Sequence, residues 1–408
     1  MGAKIRVQLS VMMFLEFFVW GSWFVTLGIY LPNTLGSNGG EIAMAYSTQS
    51  WGAILSPFII GLIADRFFNA ERILGFLHLL GAVLMYLLYQ ATDFGGFFPY
   101  LLAYMVMYMS TLALVNSVSF GQMKDPAKEF SFVRVFGTAG WIVAGILISI
   151  LNWDSQAGIS EGLLRNTFLM ASISSAILGV FSFTLPKTPP KANKSEKVSV
   201  TQMLGLDALS LLKDRNFLVF FLASVLICIP LAFYYQHAGQ FLGEIGVSNP
   251  AGKMTVGQVS EVLFLLLLPY FFKRFGFKMT IMAAMLAWAL RYMFFAIASG
   301  GEETYILLLG IALHGICYDF FFVSGQIYTD SKAGAAYKSA AQGLITLATY
   351  GCGMLIGFWV AGKITDSFIL EETGHDWQTI WIYPAAFAFL VMVLFLLLFK
   401  NEKIAYKS

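Results

Sequence analysis

Apolar residues along this chain gather into runs of roughly twenty, separated by short polar intervals, and the pattern neither alternates nor confines itself to one helical face. About 20 apolar residues carry a helix across the hydrocarbon core of a bilayer. Inside lipid every backbone polar group must be satisfied within its own segment, which favours helices. The pattern predicts twelve transmembrane helices, at 9–31, 43–64, 71–92, 98–120, 132–152, 166–186, 217–240, 255–275, 278–298, 304–327, 338–362 and 378–399. The expected fold class is therefore an all-α polytopic membrane protein. The longest polar interval, LPKTPPKANKSEKVSV (185–200), carries three prolines and four lysines and reads as a solvated linker. It divides the chain into an N-terminal six-helix bundle (1–186), a linker (187–216) and a C-terminal six-helix bundle (217–408).

Charge orients these spans. An even number of spans puts both termini on one side. Lys4, Arg6, Arg66, Arg72, Lys124, Lys128, the lysines of the linker, Lys273, Arg274, Lys278, Lys332, Lys338, Lys400, Lys403 and Lys407 all fall on that side. The opposite loops hold Arg165, Lys253 and Lys363. Under the positive-inside rule both termini are cytoplasmic. The segment MGAKIRVQLS precedes the first span with no small-residue cleavage site after it, so helix 1 is expected to be retained. A formal net charge of +2 offers no argument for nucleic acid as a partner. Cys228, Cys317 and Cys352 fall in predicted spans without CxxC spacing and read as small apolar residues. Neither HExxH, a P-loop, a nucleophile elbow nor a metal-ligand cluster is present, so enzymatic chemistry, a cofactor and a metal site are not expected.

The candidate chemistry lies in polar residues inside the spans. In TVGQVSEVLFLLLLPYFF (255–272), Gln258 and Glu261 stand three residues apart and share a helix face. A carboxylate at bilayer depth costs at least about 2.5 kcal/mol on insertion scales, so Glu261 should face a cavity or a partner; a structural ion pair is the bland alternative. Asp319 in LHGICYDFFFVSGQIYTD (313–330) is the second such acid, with Tyr318 and Phe320 beside it and His314 one turn before Tyr318. Helix 5 opens with FSFVRVFGTAGW (130–141), where Arg134, Thr138 and Trp141 recur at helical spacing as a cation, a hydroxyl and an aromatic face; snorkelling of Arg134 to the interface is the alternative. Arg291 in helix 9 and Arg134 are cations able to neutralise either acid. Glu16 lies about one turn from Trp20 and close enough to the cytoplasmic end to reach interfacial water. Helix 7 holds Tyr234, Tyr235, Gln236, His237 and Gln240, and helix 11 holds Gly343, Gly351, Gly353 and Gly357 for close packing. Aromatics flanking amides and acids suit a flat, neutral, polar solute that stacks and hydrogen-bonds.

Two sets of motifs carry a family resemblance. The loop GLIADRFFNAER (61–72) resembles the G-x-x-x-D-R signature of the major facilitator superfamily, with Gly61, Asp65 and Arg66 matching and Arg72 further along. That resemblance implies a fold of two six-helix halves and a cytoplasmic charge latch at those residues. Further, WGSWFVTLG (20–28), RVFGTAG (134–140), LGLDALSLLK (204–213), QVSEVLFLLLLPYFFKRFG (258–276), DFF (319–321), SAAQG (339–343) and DWQTIW (376–381) resemble, in order, the nucleoside:proton symporter family of that superfamily. The resemblance implies a bacterial inner-membrane importer with nucleoside and protons as its partners. It also implies substrate or proton roles at Arg134, Thr138, Gln258, Glu261, Tyr318 and Asp319, to which Trp141 adds an aromatic face. Glu261 and Asp319 are the expected proton-coupling acids. The chain departs from a family member at Ala232 and Tyr235, which stand where that member carries two amides on helix 7, and at Glu16, which replaces an amide. A carrier of another neutral solute such as a sugar, or a solute receptor on the same scaffold, would share most of these features.

Overall fold

A computed structural model describes residues 2–59, 68–123, 126–189, 206–300, 304–370 and 374–402. Apart from one antiparallel pair of two-residue strands, β1 (Ile369–Leu370) and β2 (Gly374–His375), the regular structure described is helical. Among the described residues nine helices are long and apolar enough to cross a membrane.

The first predicted span is interrupted. It comprises α1 (Ala3–Gly21) and α2 (Leu27–Leu35), with turns between them. Ser22 donates its hydroxyl to the Phe18 carbonyl (2.6 Å) and Thr26 to the Trp23 carbonyl (3.1 Å). Such side-chain bonds compete with the helical ladder, and Pro32 inside α2 lacks the N–H that would extend it backwards. The next helices are α3 (Gly39–Ile59), α4 (Ala70–Gln90), α5 (Phe94–Gln122), α6 (Pro126–Ile150), the short α7 (Gln156–Ser160) and α8 (Asn166–Ser182). Beyond the linker come α9 (Arg215–Glu244) and α10 (Pro250–Ile297). The latter is broken where Gly276 adopts φ 76° and ψ 174°, a backbone only glycine takes readily, between the two spans predicted there.

The tenth and eleventh predicted spans are joined without a loop. In order they are α11 (Thr304–Ala312), α12 (His314–Tyr318), a π turn over Asp319–Val323, α13 (Ser324–Thr346), a second π turn over Leu347–Gly353, and α14 (Met354–Ser367). The interval predicted as a loop, YTDSKAGAAY (328–337), contains no proline and three alanines, and helix runs through it. The last helix is α15 (Trp377–Leu398).

The chain forms two compact units. Unit 1 comprises Met1–Ser37, Thr48–Val200 and Asn249–Gly252, and unit 2 comprises Asn38–Ser47, Thr201–Ser248 and Lys253–Ser408. In unit 1 a core of Leu9, Met12 and Met13 from α1, Leu74 from α4, Leu114 and Val118 from α5, and Leu178 from α8 fixes those helices together. The α1–α6 contact is closer than side chains ordinarily allow. A Cβ placed on Gly140 would lie 2.1 Å from the Phe14 carbonyl oxygen. Small residues at such crossings let backbones meet, which is how helices gain packing energy in lipid. Still in unit 1, Asp154 accepts the Ala251 N–H at 2.9 Å and Ser149 the Gly252 N–H at 2.8 Å. In unit 2, Asp366 accepts the Gly39 N–H at 2.9 Å.

Candidate functional site

In unit 2, α10 and α12 meet backbone to backbone. Ser260 Oγ accepts the Gly315 N–H at 3.0 Å, and a Cβ on Gly315 would fall 2.5 Å from the Ser260 carbonyl group. That contact sets Glu261 beside His314, their Oε2 and Nε2 atoms 3.9 Å apart. The distance is that of an ion-pair contact and too long for a hydrogen bond. Gln258 is half-buried one turn earlier on the same face. His314 is buried, its ring stacked on Tyr234 (5.4 Å between centroids) and tilted against Tyr318 (5.5 Å). Tyr318 in turn packs on Phe322 (4.7 Å), and its hydroxyl is hydrogen-bonded to that of Tyr350.

Asp319 is buried and opens the first π turn; Tyr350 lies in the second. Turns of this type add a residue to the helical repeat and recur at functional sites. Of the predicted set, Glu261 and Tyr318 are thus brought to His314, and Asp319 follows Tyr318 in the chain at the start of the π turn. Tyr235 lies within electrostatic reach of Tyr318 and Glu261. Tyr350 was not singled out in the sequence, because a tyrosine in a run of small residues carries no periodic signal. Arg291 is buried, donates Nε to the Gly310 carbonyl (3.2 Å) and sits 3.6 Å above the Tyr234 ring. A cation–π contact of this kind is worth about 2 kcal/mol when desolvated.

Unit 1 holds the other predicted group. Arg134 is half-buried and lies 4.2 Å above the Phe17 ring. Half-buried Thr138 follows one turn later, and Trp141 packs edge-on against Trp20 (5.5 Å), itself edge-on to Tyr108 (5.5 Å). Glu16 differs from expectation. It does not reach interfacial water: it is fully buried, 2.8 Å from His78 Nε2, and accepts the Thr111 hydroxyl at 2.6 Å. Its depth along α1 suggested an interface, but α4 and α5 close over it. His78 was missed, although a lone ionisable residue in the apolar run ILGFLHLLGAV (73–83) is itself a signal.

Other positions divide between structural and undescribed. Gly61, Asp65 and Arg66 of the expected latch lie outside the described residues. Arg72 is exposed in the first turn of α4, next to Glu71, whose carboxylate accepts the Thr188 N–H at 2.8 Å. His237 is buried between Gln240 (3.0 Å) and Thr365 (3.1 Å), within a ladder that continues through Glu244 to His375 and Trp377. Ala232 is a packing position, because a Cβ on Gly357 would lie 2.6 Å from its methyl. Cys228 and Cys317 are buried, while Cys352 is exposed. A groove of about 570 Å³ in unit 1, lined by Val7, Val11, Phe14, Phe132, Phe136 and Ile177 among others, is almost wholly apolar and holds none of the polar set.

Comparison with known proteins adds four findings. The model of a family described as nucleoside H+ symporter matches residues 3–404. The chain is 45% identical over 407 residues to the putative nucleoside transporter YegT of Escherichia coli K12, covering 98% of this chain and 95% of that one. It is 35% identical to the xanthosine permease of the same organism, with 99% of each chain covered. Among solved structures, a mutant form of the nucleoside transporter NupG superposes with a TM-score of 0.89 at 30% identity, covering 97% of this chain and all of that one.

Proposed function

The chain belongs to the nucleoside–proton symporter family, a multi-pass membrane protein of the major facilitator type, and from that premise we propose how its residues divide the work of proton-coupled nucleoside import. Glu261 and Asp319 bind the coupled protons. Gln258, Tyr318, Arg134, Thr138 and Trp141 recognise the nucleoside, the aromatic faces stacking on the base and the polar groups meeting the sugar hydroxyls. Both termini lie on the cytoplasmic side of the bacterial inner membrane, as the Lys and Arg distribution requires. Gly61, Asp65, Arg66 and Arg72 act as a cytoplasmic charge latch.

The observation that carries this reading is the placement of Glu261 at 3.9 Å from a buried histidine that packs against two tyrosines. A carboxylate so placed changes its proton affinity whenever a substrate or a conformational change alters that contact. Substrate and proton affinity then shift reciprocally.

The test is uptake of radiolabelled uridine and xanthosine into proteoliposomes with and without an inward proton gradient. Gradient-driven accumulation, displaced by nucleosides and not by sugars, is the expected result. Glu261→Gln should lower accumulation and leave nucleoside exchange in place. Accumulation equal to that of the wild type would remove Glu261 from the coupling mechanism.

A further inference from the structure

Deep in unit 1, four helices converge on a polar cluster whose hydrogen-bond geometry counts protons. Glu16 comes from α1, His78 from α4, Tyr108 and Thr111 from α5, and Ser175 from α8. Glu16 and Ser175 have no exposed surface and His78 is 2% exposed. Ser175 Oγ lies 2.8 Å from the His78 carbonyl oxygen and 3.0 Å from His78 Nδ1. A hydroxyl has one hydrogen, and the carbonyl has none to give, so the Ser175 hydrogen goes to the carbonyl. Nδ1 must therefore donate to Ser175, which fixes a hydrogen on that ring nitrogen.

The other ring nitrogen, Nε2, faces Glu16 Oε2 at 2.8 Å. Two bare lone pairs do not approach to that distance as partners. The contact needs one hydrogen between them, carried either by Nε2 (imidazolium against carboxylate) or by Oε2 (neutral imidazole against carboxylic acid). In both forms the pair holds one proton more than neutral imidazole plus carboxylate, and its net charge is zero. Loss of that proton would leave a net negative charge on a fully buried pair, and such a charge is costly. The remaining carboxylate oxygen, Oε1, is held by the Thr111 hydroxyl at 2.6 Å, shared with the Tyr108 carbonyl at the same distance.

From this geometry we infer that Glu16 and His78 form a proton-binding pair in unit 1, separate from the acids of unit 2, which takes up one proton per transport cycle and releases it to the other side. The step is a simple protonation: a proton enters the Nε2···Oε2 edge, forming one N–H or O–H bond, and the same bond breaks on release. The inference deepens the symport reading and rests on it. Around the pair, α5 contributes the hydroxyl of Tyr108, bonded to the Glu16 carbonyl at 2.7 Å, and Tyr104 stacked on Tyr108 at 5.5 Å. From α6 comes Arg134, above the ring of Phe17, the residue after Glu16. Beyond His78, α4 carries Glu71 and Arg72, with Glu71 engaged at Thr188; α8 offers the Ser175 hydroxyl and no charged residue among those described.

This arrangement links the pair to the nucleoside-recognition group without making it part of that group. Tyr108 joins Glu16 to Trp20, which packs on Trp141. Any rearrangement that alters the Nε2···Oε2 contact changes the proton affinity of the pair. A helix rearrangement that accompanies transport thus has a proton-dependent energy in unit 1 as well as in unit 2.

The test has two arms on the full chain. In proteoliposomes with the membrane potential clamped to zero, the static-head accumulation of uridine is measured against a one-unit pH gradient. Each coupled proton multiplies that accumulation tenfold, so Glu16→Gln and His78→Asn should each lower it about tenfold while nucleoside exchange persists. Accumulation unchanged in both variants would overturn the proposal, because a purely structural network leaves the stoichiometry alone. The second arm uses ¹⁵N-histidine-labelled protein in nanodiscs, with the four histidines of the chain assigned by substitution. His78 is expected to show a hydrogen on Nδ1 and an Nε2 environment that changes in Glu16→Gln. An Nδ1 without hydrogen, or an Nε2 signal unchanged in Glu16→Gln, would overturn the pair even if the variants failed to transport. Should the wild type take up no nucleoside at all, the symport reading fails in the first arm while the second still reads the pair.

Discussion

A carboxylate within a membrane helix takes its meaning from the atoms that face it. Glu261 stands at ion-pair distance from one histidine and keeps 19% of its side-chain surface exposed, whereas Glu16 is enclosed and hydrogen-bonded on both oxygens. The two acids are therefore expected to differ in how fast they exchange protons, Glu261 being the more accessible. Glycines at helix crossings are just as specific. Gly140→Ala would drive a methyl into the Phe14 carbonyl and should destabilise the protein by about 1–3 kcal/mol, read as a lower melting temperature in detergent. An unchanged melting temperature would mean that α1 and α6 separate easily. The same logic applies to Ala232. Writing in the amide carried by the family member, as Ala232→Gln, should destabilise by a similar 1–3 kcal/mol through crowding against Gly357, and should not broaden the range of nucleosides accepted. Competition assays on the purified variant decide that second point.

Among the elements, α9 shows how a helix start is secured. Asp214 caps it by accepting the Phe217 N–H at 2.8 Å and also contacts Lys332 at 3.1 Å. Partial burial raises its proton affinity, but the Phe217 N–H and the Lys332 charge outweigh that and leave the carboxyl below its usual range. A depressed folded-state value contributes stability that is present above the unfolded carboxylate range, near 3.9, and is lost as pH falls through the folded value. Asp214→Ala should therefore cost about 1 kcal/mol at neutral pH, mostly from the lost cap. The ion pair adds little because Asp214 is 44% exposed. The difference from wild type should vanish at pH values below the carboxylate range, and melting curves across pH test this directly. A gap that persists in acid would assign the cost to packing instead of charge. The π turns at Asp319–Val323 and Leu347–Gly353 work differently, by turning Tyr318 and Tyr350 so that their hydroxyls meet.

At the scale of the molecule, each compact unit carries its own polar centre: Glu16–His78 with Arg134 in unit 1, and Glu261–His314 with Tyr318 and Asp319 in unit 2. Both units also hold a helix start by a carboxylate, Asp154 at Ala251 and Asp366 at Gly39. Substituting either aspartate by alanine should lower stability by about 0.5–2 kcal/mol, in the range of lost N-caps, and thermal unfolding in detergent checks it. Orientation is testable independently of transport. A fluorescent protein fused to either terminus should fold and fluoresce, and a periplasmic reporter enzyme at the same places should stay inactive. The reverse result would invert the topology and with it the direction assigned to the latch.

Membrane class, helical content and family membership were legible in the sequence, because they depend on composition, run length and the order of short motifs. Hydropathy also located the break at Gly276, since glycine and the neighbouring charges interrupt the apolar run. The acids Glu261 and Asp319 stood out for the same reason: a charge in an apolar run is visible without coordinates. What each polar residue touches was not legible. Glu16 read as interfacial because sequence reports depth along its own helix and says nothing of α4 and α5, whose His78 and Thr111 lie 62 and 95 positions away. Tyr350 joined Tyr318 only through a π turn, a one-residue slip that no apolar period encodes. Periodicity is local and so could be read from the chain; pairing across helices depends on long-range packing, and only the tertiary structure decided it.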